Sequence, residues 1–152
     1  LIQWLLSSNM FIISLDNEQQ WFRYHHLFQE LVQNQLRKLR TIKEISKIHN
    51  RAGKWFEKND FIAEAIEHSI KAKNIDQAIQ IIDDNWEDTF DKDHWYVVVG
   101  WLKLIPEEVI VTSCNLLLAR LWIAQKQHRG QDILAIIELI ELCGGKLSNT
   151  ET

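Results

Sequence analysis

Scarcity of chain breakers is what most restricts the fold open to this sequence. One proline and five glycines occur in 152 residues, and a chain with so few turn formers makes helices with short connections, not many strands. From Thr41 onward apolar residues recur at intervals of three and four, the period of a half-buried helix. Ile45, Ile48, Ala52, Trp55 and Phe56 mark one face, and Ile62, Ala65, Ile66, Ser69 and Ile70 the next. Ile75, Ala78, Ile79, Ile82 and Trp86 follow, then Trp95, Val98, Val99 and Leu102. Leu117, Leu121 and Ala124 mark a fifth, and Ile133, Ile136, Ile137 and Ile140 a sixth. Pro106 is expected to stop the fourth helix, Thr112 or Ser113 to cap the fifth, and Gly144-Gly145 to end the sixth.

Short polar joints fold such helices into antiparallel pairs of roughly the 34-residue tetratricopeptide (TPR) period. Gly53, Phe56, Ala65 and Ala72 stand at the relative spacing of that repeat's small and aromatic positions. Small residues there let two helices approach closely. The expected architecture of residues 41–145 is therefore a set of antiparallel helix pairs in a TPR-like right-handed superhelix. An ordinary globular helix bundle is the competing arrangement. Residues 146–152 are polar and expected to fray.

The N-terminal part reads differently. Leu1 to Leu6 has the pattern of a helix end, closed by Ser7, Ser8 and Asn9. Phe11 to Leu15 is a short β-rich run in which Phe11, Ile13 and Leu15 share a face. A polar turn from Asp16 to Gln20 leads to the aromatic run Trp21 to Tyr24, which predicts a β-hairpin over 11–24. Leu27, Phe28, Leu31, Val32, Leu36 and Leu39 then lie at helical spacing. Helix, hairpin and helix in that order form the closing half of a winged helix, assigned to residues 1–40. The chain opens on Leu1 inside an apolar pattern, as an interior piece of a longer protein would.

The formal net charge is -4, from 17 basic and 21 acidic residues, which favours neither nucleic acid nor membrane. The charges are segregated. Arg37, Lys38, Arg40, Lys43, Lys47, Arg51, Lys54 and Lys58 are followed by Asp76, Asp83, Asp84, Glu87, Asp88, Asp91 and Asp93. Solvated helix faces, attracting each other weakly across neighbouring repeats, account for this pattern. A nucleic-acid surface would need glycine or aromatic platforms among the basic residues. Cys114 and Cys143 lie in apolar helical stretches without a CxxC motif or a secretory signal, so both are expected to be reduced and buried in a cytoplasmic protein. No apolar run has the length of a membrane span.

Arg23-Tyr24-His25-His26 is the one dense cluster of polar and aromatic side chains. It falls where the hairpin meets the next helix, so free backbone N–H groups and the positive end of the helix dipole would meet an anion beside the imidazoles. A capping or packing role is the plainer alternative. Adjacent His25 and His26 project about 100° apart on a helix and do not readily share a metal ion. His49, His68, His94 and His128 show no HxxxH or HExxH spacing. Phosphate-loop, GxGxxG and GxSxG motifs are absent, and Asp83-Asp84 and Glu107-Glu108 read as solvated charges. The stripe Trp86, Phe90, Trp95, Tyr96 and Trp101 reads first as packing between helix pairs, and second as a concave binding surface.

These strings are also familiar in combination. Asn9-Met10-Phe11-Ile12-Ile13-Ser14-Leu15-Asp16, Trp21-Phe22-Arg23-Tyr24-His25-His26-Leu27-Phe28, Ala52-Gly53-Lys54-Trp55-Phe56 and Glu64-Ala65-Ile66-Glu67-His68 resemble the MalT-like, LuxR-type ATP-dependent transcriptional regulators, ATPases of the STAND class. Trp101 to Glu108 and Leu116 to Trp122 continue the likeness over nearly the whole chain. The resemblance implies a nucleotide-binding domain upstream, a helical superhelix that senses an inducer or regulatory protein, and DNA binding through a C-terminal domain outside this chain. It implies ATP or ADP as the longer protein's cofactor, and contact of His25 with the ADP β-phosphate. Some relatives have Asp after that histidine, where this chain has His26. A stand-alone TPR-like interaction scaffold is the alternative, and a histidine-dependent hydrolase a distant third.

Overall fold

The structure, a computed structural model, describes residues 11–18 and 22–148. The expected helix end at Leu1 to Leu6, its closing residues Ser7 to Asn9, the turn residues Gln19 and Gln20, Trp21, and the tail from Asn149 lie outside the described residues. The chain divides into two compact units, Leu1–Ile45 and Ser46–Thr152.

In the first unit, β1 (Ile12–Ser14) and β2 (Phe22–Tyr24) pair antiparallel, with Ile12 opposite Tyr24, Ile13 opposite Arg23 and Ser14 opposite Phe22. This is the expected hairpin. Ser14 Oγ donates to the Asp16 carbonyl at 2.7 Å and steadies the turn. Helix α1 (His26–Leu39) follows after one residue. Phe28 on α1 stacks on Phe11 at 5.6 Å and packs at a tilt on Tyr24 at 5.3 Å, which ties the helix to the hairpin.

Helix α2 (Ile42–Lys58) starts in a capping box. The Glu44 N–H donates to Thr41 Oγ1, and the Thr41 N–H donates back to Glu44 Oε2 at 2.9 Å. Those Thr41 bonds, backbone first, and Arg40 hold the Glu44 carboxyl below its usual range.

The second unit continues α2 with α3 (Ile62–Lys71), α4 (Ile75–Asp91), α5 (Trp95–Leu102), α6 (Glu107–Ile110), α7 (Cys114–Lys126) and α8 (Gly130–Ser148). Successive long helices begin at 42 and 75, and their partners at 62 and 95, a common step of 33 residues. That step is the TPR-like period.

The joints at 59–61, 72–74, 92–94 and 127–129 are one structure used four times. Each places a residue other than glycine in the left-handed region: Asp60 (φ 63°), Lys73 (59°), Asp93 (61°) and His128 (55°). The next residue then donates its N–H five residues back: Phe61 to Phe56, Asn74 to Ser69, His94 to Thr89 and Arg129 to Ala124. This is the Schellman closure, which satisfies the last carbonyls of one helix just as the next helix begins.

The core lies between the pairs. Ala65, Ile66, Ala78, Ile81, Ile82, Val98, Leu116, Leu117 and Ala119 are all essentially removed from solvent. Gly53 supplies the close approach expected of it: a Cβ there would meet the Ala65 carbonyl, His68 Cβ and Ser69 Oγ, each at 3.5 Å. Ser113 caps α7 by accepting from the Leu116 N–H, which decides between the two expected caps.

The structure departs from the sequence pattern at five points. Asp83 of α4 is half-buried, not a solvated charge: its Oδ2 accepts from Asn115 of α7 at 2.9 Å, its Oδ1 is buried without a hydrogen bond among the described residues, and burial raises its carboxyl above the usual range. Pro106 follows a turn after α5 and N-caps the extra helical turn α6, so the region holds one more short helix than the apolar pattern shows. Gly144-Gly145 do not end the last helix, because α8 runs on to Ser148. Glycine costs a helix only about 1 kcal/mol per residue, which the preceding four turns can carry. Cys114 and Cys143 are not free thiols: they are joined by a disulfide, and both are only partly buried. In the aromatic stripe, Trp86, Phe90 and Trp101 are buried and Trp95 partly so, but Tyr96 is 60% exposed.

Candidate functional site

Three places in the chain gather functional side chains. The first is the start of α1. His25 leaves β2 in extended backbone (φ -55°, ψ 138°) and caps α1 without a side-chain hydrogen bond. Its N–H donates to the Phe11 carbonyl at 2.6 Å, so the hairpin itself fixes its position. His25 is half-buried and His26 exposed, with their rings 4.3 Å apart. No acidic residue stands in the first turn of α1. The helix N-terminus, the two imidazoles and the exposed Arg23 of β2 are the groups that an anion at this position would meet.

The second place is a groove of about 660 Å³ in the second unit, bordered by α5, α6, α7 and α8. Leu102, Ile105, Ile110, Ile123, Ile136 and Leu139 form its apolar lining, and Lys103, Glu107, Arg120, Arg129 and Asp132 its polar part. Arg120 is paired with Glu107, and Arg129 lies 3.6 Å from Asp132. A volume of this size suits a small ligand or a short apolar segment. The basic run at 37–58 and the acidic run at 76–93 do not meet in it. Among the described residues no ion pair joins the two runs; Asp93 instead takes Lys126 of α7 at 2.9 Å.

The third place was invisible to motif spacing. His49 of α2 and His68 of α3 stand with their Nδ1 atoms 3.1 Å apart, and Phe56 packs on the His68 ring at 5.2 Å. The contact requires one ring to donate and the other to accept. Burial lowers the pKa of both imidazoles; Lys71 adds to the effect on each, and His49 adds to it on His68, against Glu67 and Glu64. A lowered folded-state pKa means that the unfolded chain takes up protons first as pH falls. Stability from this pair is therefore complete above the ordinary histidine pKa of about 6.5 and declines as pH drops below it. Thermal melts should show a lower Tm at pH 5 than at pH 7.5, and a smaller difference in His68→Gln. An unchanged pH difference in that variant would show that the pair carries none of it.

Among the described residues no group of three His, Cys, Asp or Glu is placed to hold a metal ion. No helix among them is long and apolar enough to cross a membrane.

A winged-helix hairpin and helix, followed by paired antiparallel helices, is thus the class of structure on which these places are built. Comparison with known proteins agrees with that division. Residues 1–44 match the MalT winged helix domain. The HTH-type transcriptional regulator MalT of Vibrio parahaemolyticus serotype O3:K6 is 27% identical over 142 residues, covering 93% of this chain and 16% of that protein. MalT of Yersinia pestis is 25% identical over the same shares of both chains. The serine/threonine-protein kinase PknK of Mycobacterium tuberculosis (strain H37Rv) is 21% identical over 113 residues, 74% of this chain and 10% of the kinase. The chain therefore spans a small part of the curated relatives it matches. No solved structure matches. A MalT-type winged-helix segment with helical repeats behind it, at low identity to the MalT regulators, is what the chain presents.

Proposed function

We propose that this chain is a signal-coupling module of an ATP-dependent bacterial transcriptional activator of the MalT-like, LuxR-type, STAND class. It would link a nucleotide-binding domain to an inducer-sensing helical superhelix. One observation carries the reading: the similarity to MalT covers 93% of the chain and so includes both the winged-helix segment and the repeats. The chain would act in the cytoplasm without catalysis of its own. ATP or ADP would be the cofactor of the longer protein, and DNA would be bound by its C-terminal domain. Leu27 and Leu31 on α1, 63% and 55% exposed, form an apolar row that further winged-helix or nucleotide-binding elements would cover.

In this reading His25 contacts the ADP β-phosphate from the start of α1 and favours the resting state. An inducer would shift the equilibrium only by binding the active state more tightly. His25→Ala in the longer protein should lower ADP retention roughly ten- to hundredfold, the worth of a hydrogen bond to a charged group. Basal transcription should rise. Bound nucleotide and reporter activity check this together, and unchanged values for both would remove His25 from the nucleotide site.

An interaction-scaffold reading has one observation in its favour. A segment 21% identical to this chain stands in a protein kinase, PknK, and one 27% identical in a transcriptional regulator. Such reuse fits a module that receives a partner in its repeats and passes the signal to different outputs. Pull-down of one shared partner class by both kinds of protein would support it.

A further inference from the structure

We infer that Cys114 and Cys143 form a reversible thiol switch that clamps α8 against α7 and thereby sets the width of the groove. The inference stands on the placement of the two sulfurs and does not depend on the proposed function. The α7–α8 hairpin is closed at one end by the joint at 127–129. The disulfide closes it at the other, linking the first residue of α7 to the fourth turn of α8. Cys143 lies one helical turn beyond Leu139, a groove residue, and both follow Ile136 along α8. A bond at Cys143 therefore fixes the part of α8 that forms the wall.

Two features make the bond exchangeable. Both cysteines are only partly buried, so a small thiol can reach them. Cys114 occupies the first turn of a 13-residue helix with no acidic residue in that turn, where free N–H groups stabilise a thiolate. Cys114 is thus the better leaving group. A thiolate of the glutathione class attacks Cys143 Sγ. The S–S bond breaks, its electron pair leaves on Cys114 Sγ, and a mixed disulfide remains on Cys143. A second small thiolate attacks the small-molecule sulfur of that mixed disulfide and releases Cys143 as a thiolate. Overall the protein disulfide gains two electrons and two protons, and two small thiols become one small disulfide. The reverse sequence, driven by the oxidised form of the small thiol, restores the clamp.

The test equilibrates the intact protein in glutathione buffers of stepped redox ratio. Differential alkylation with mass spectrometry then reads each cysteine, and hydrogen–deuterium exchange reads residues 130–143. The two cysteines should titrate together as one two-electron couple within the range of the buffers. Reduction should speed exchange in residues 130–143 by about tenfold or more, leaving residues 75–91 unchanged. In single variants, Cys114 in Cys143→Ser should alkylate faster than Cys143 in Cys114→Ser. The switch is overturned if the bond does not form in fully oxidised buffer, or survives a large excess of reduced glutathione. It is equally overturned if exchange in residues 130–143 is the same in both states. Slower alkylation of Cys114 would overturn its assignment as the leaving group. Chemical reduction needs no substitution, so a variant that fails to fold does not decide the outcome.

Discussion

Trp101→Ala is expected to remove roughly 3–5 kcal/mol from the stability of the second unit, the usual cost of deleting a buried indole. Trp101 sits on α5 with 5% of its surface exposed and belongs to the same core as Val98, Leu102, Ile105 and Leu117. Helix α5 is only eight residues long, too short to persist without packing. Removing its largest anchor leaves a void and weakens the hold on the whole helix. Domains are typically stable by about 5–15 kcal/mol, so this one change takes a large share. Urea unfolding followed by circular dichroism should show the midpoint falling well below that of the parent, with Trp101→Phe in between. A loss under about 1 kcal/mol for Trp101→Ala would mean that α5 is held by something other than this side chain.

Gly53 carries the second large effect, and its sign depends on the replacement. Added at Gly53, a Cβ meets its neighbours at 3.5 Å, an ordinary contact. Gly53→Ala should therefore be tolerated, and the higher helix propensity of alanine adds up to about 1 kcal/mol. Gly53→Leu sends further carbons toward the α3 backbone at the Ala65 carbonyl and toward His68. Overpacking of this kind costs about 1–3 kcal/mol or more. The two variants should differ by roughly 2–4 kcal/mol in denaturant unfolding, with Gly53→Ala the more stable. Equal stabilities would show that α2 and α3 can separate at this point without penalty.

Legibility in the sequence follows from which constraints are local. Helical periodicity is local, and it located the long helices of the second unit and most of their buried faces. Gly53 was legible because close approach demands a small residue at a definite spacing. The short joints were legible but their backbone conformation was not, since Asp60, Lys73, Asp93 and His128 hold conformations usually assigned to glycine. The glycines that do stand near a helix end, Gly144 and Gly145, are inside α8. The Thr41 to Glu44 capping box is also a local signal, a threonine three residues before a glutamate. Contacts between helices had no local signature: His49 and His68 are 19 residues apart, and Cys114 and Cys143 are 29 apart. At the start of α1 the position of His25 at the junction of hairpin and helix was readable, because a cap and its neighbours are adjacent in the chain. The groove was not, since it takes its lining from four helices.

The four identical joints have a consequence for how the second unit is made. Each is three residues long and reverses the chain at once, so a helix finds its partner immediately downstream. Little loop-closure entropy stands between the unfolded chain and the first docked pair. Assembly can begin at any pair and spread to its neighbours, as in other linear arrays. The order in which helices emerge during synthesis is then also an order in which they can dock, each new pair completing on the one before it.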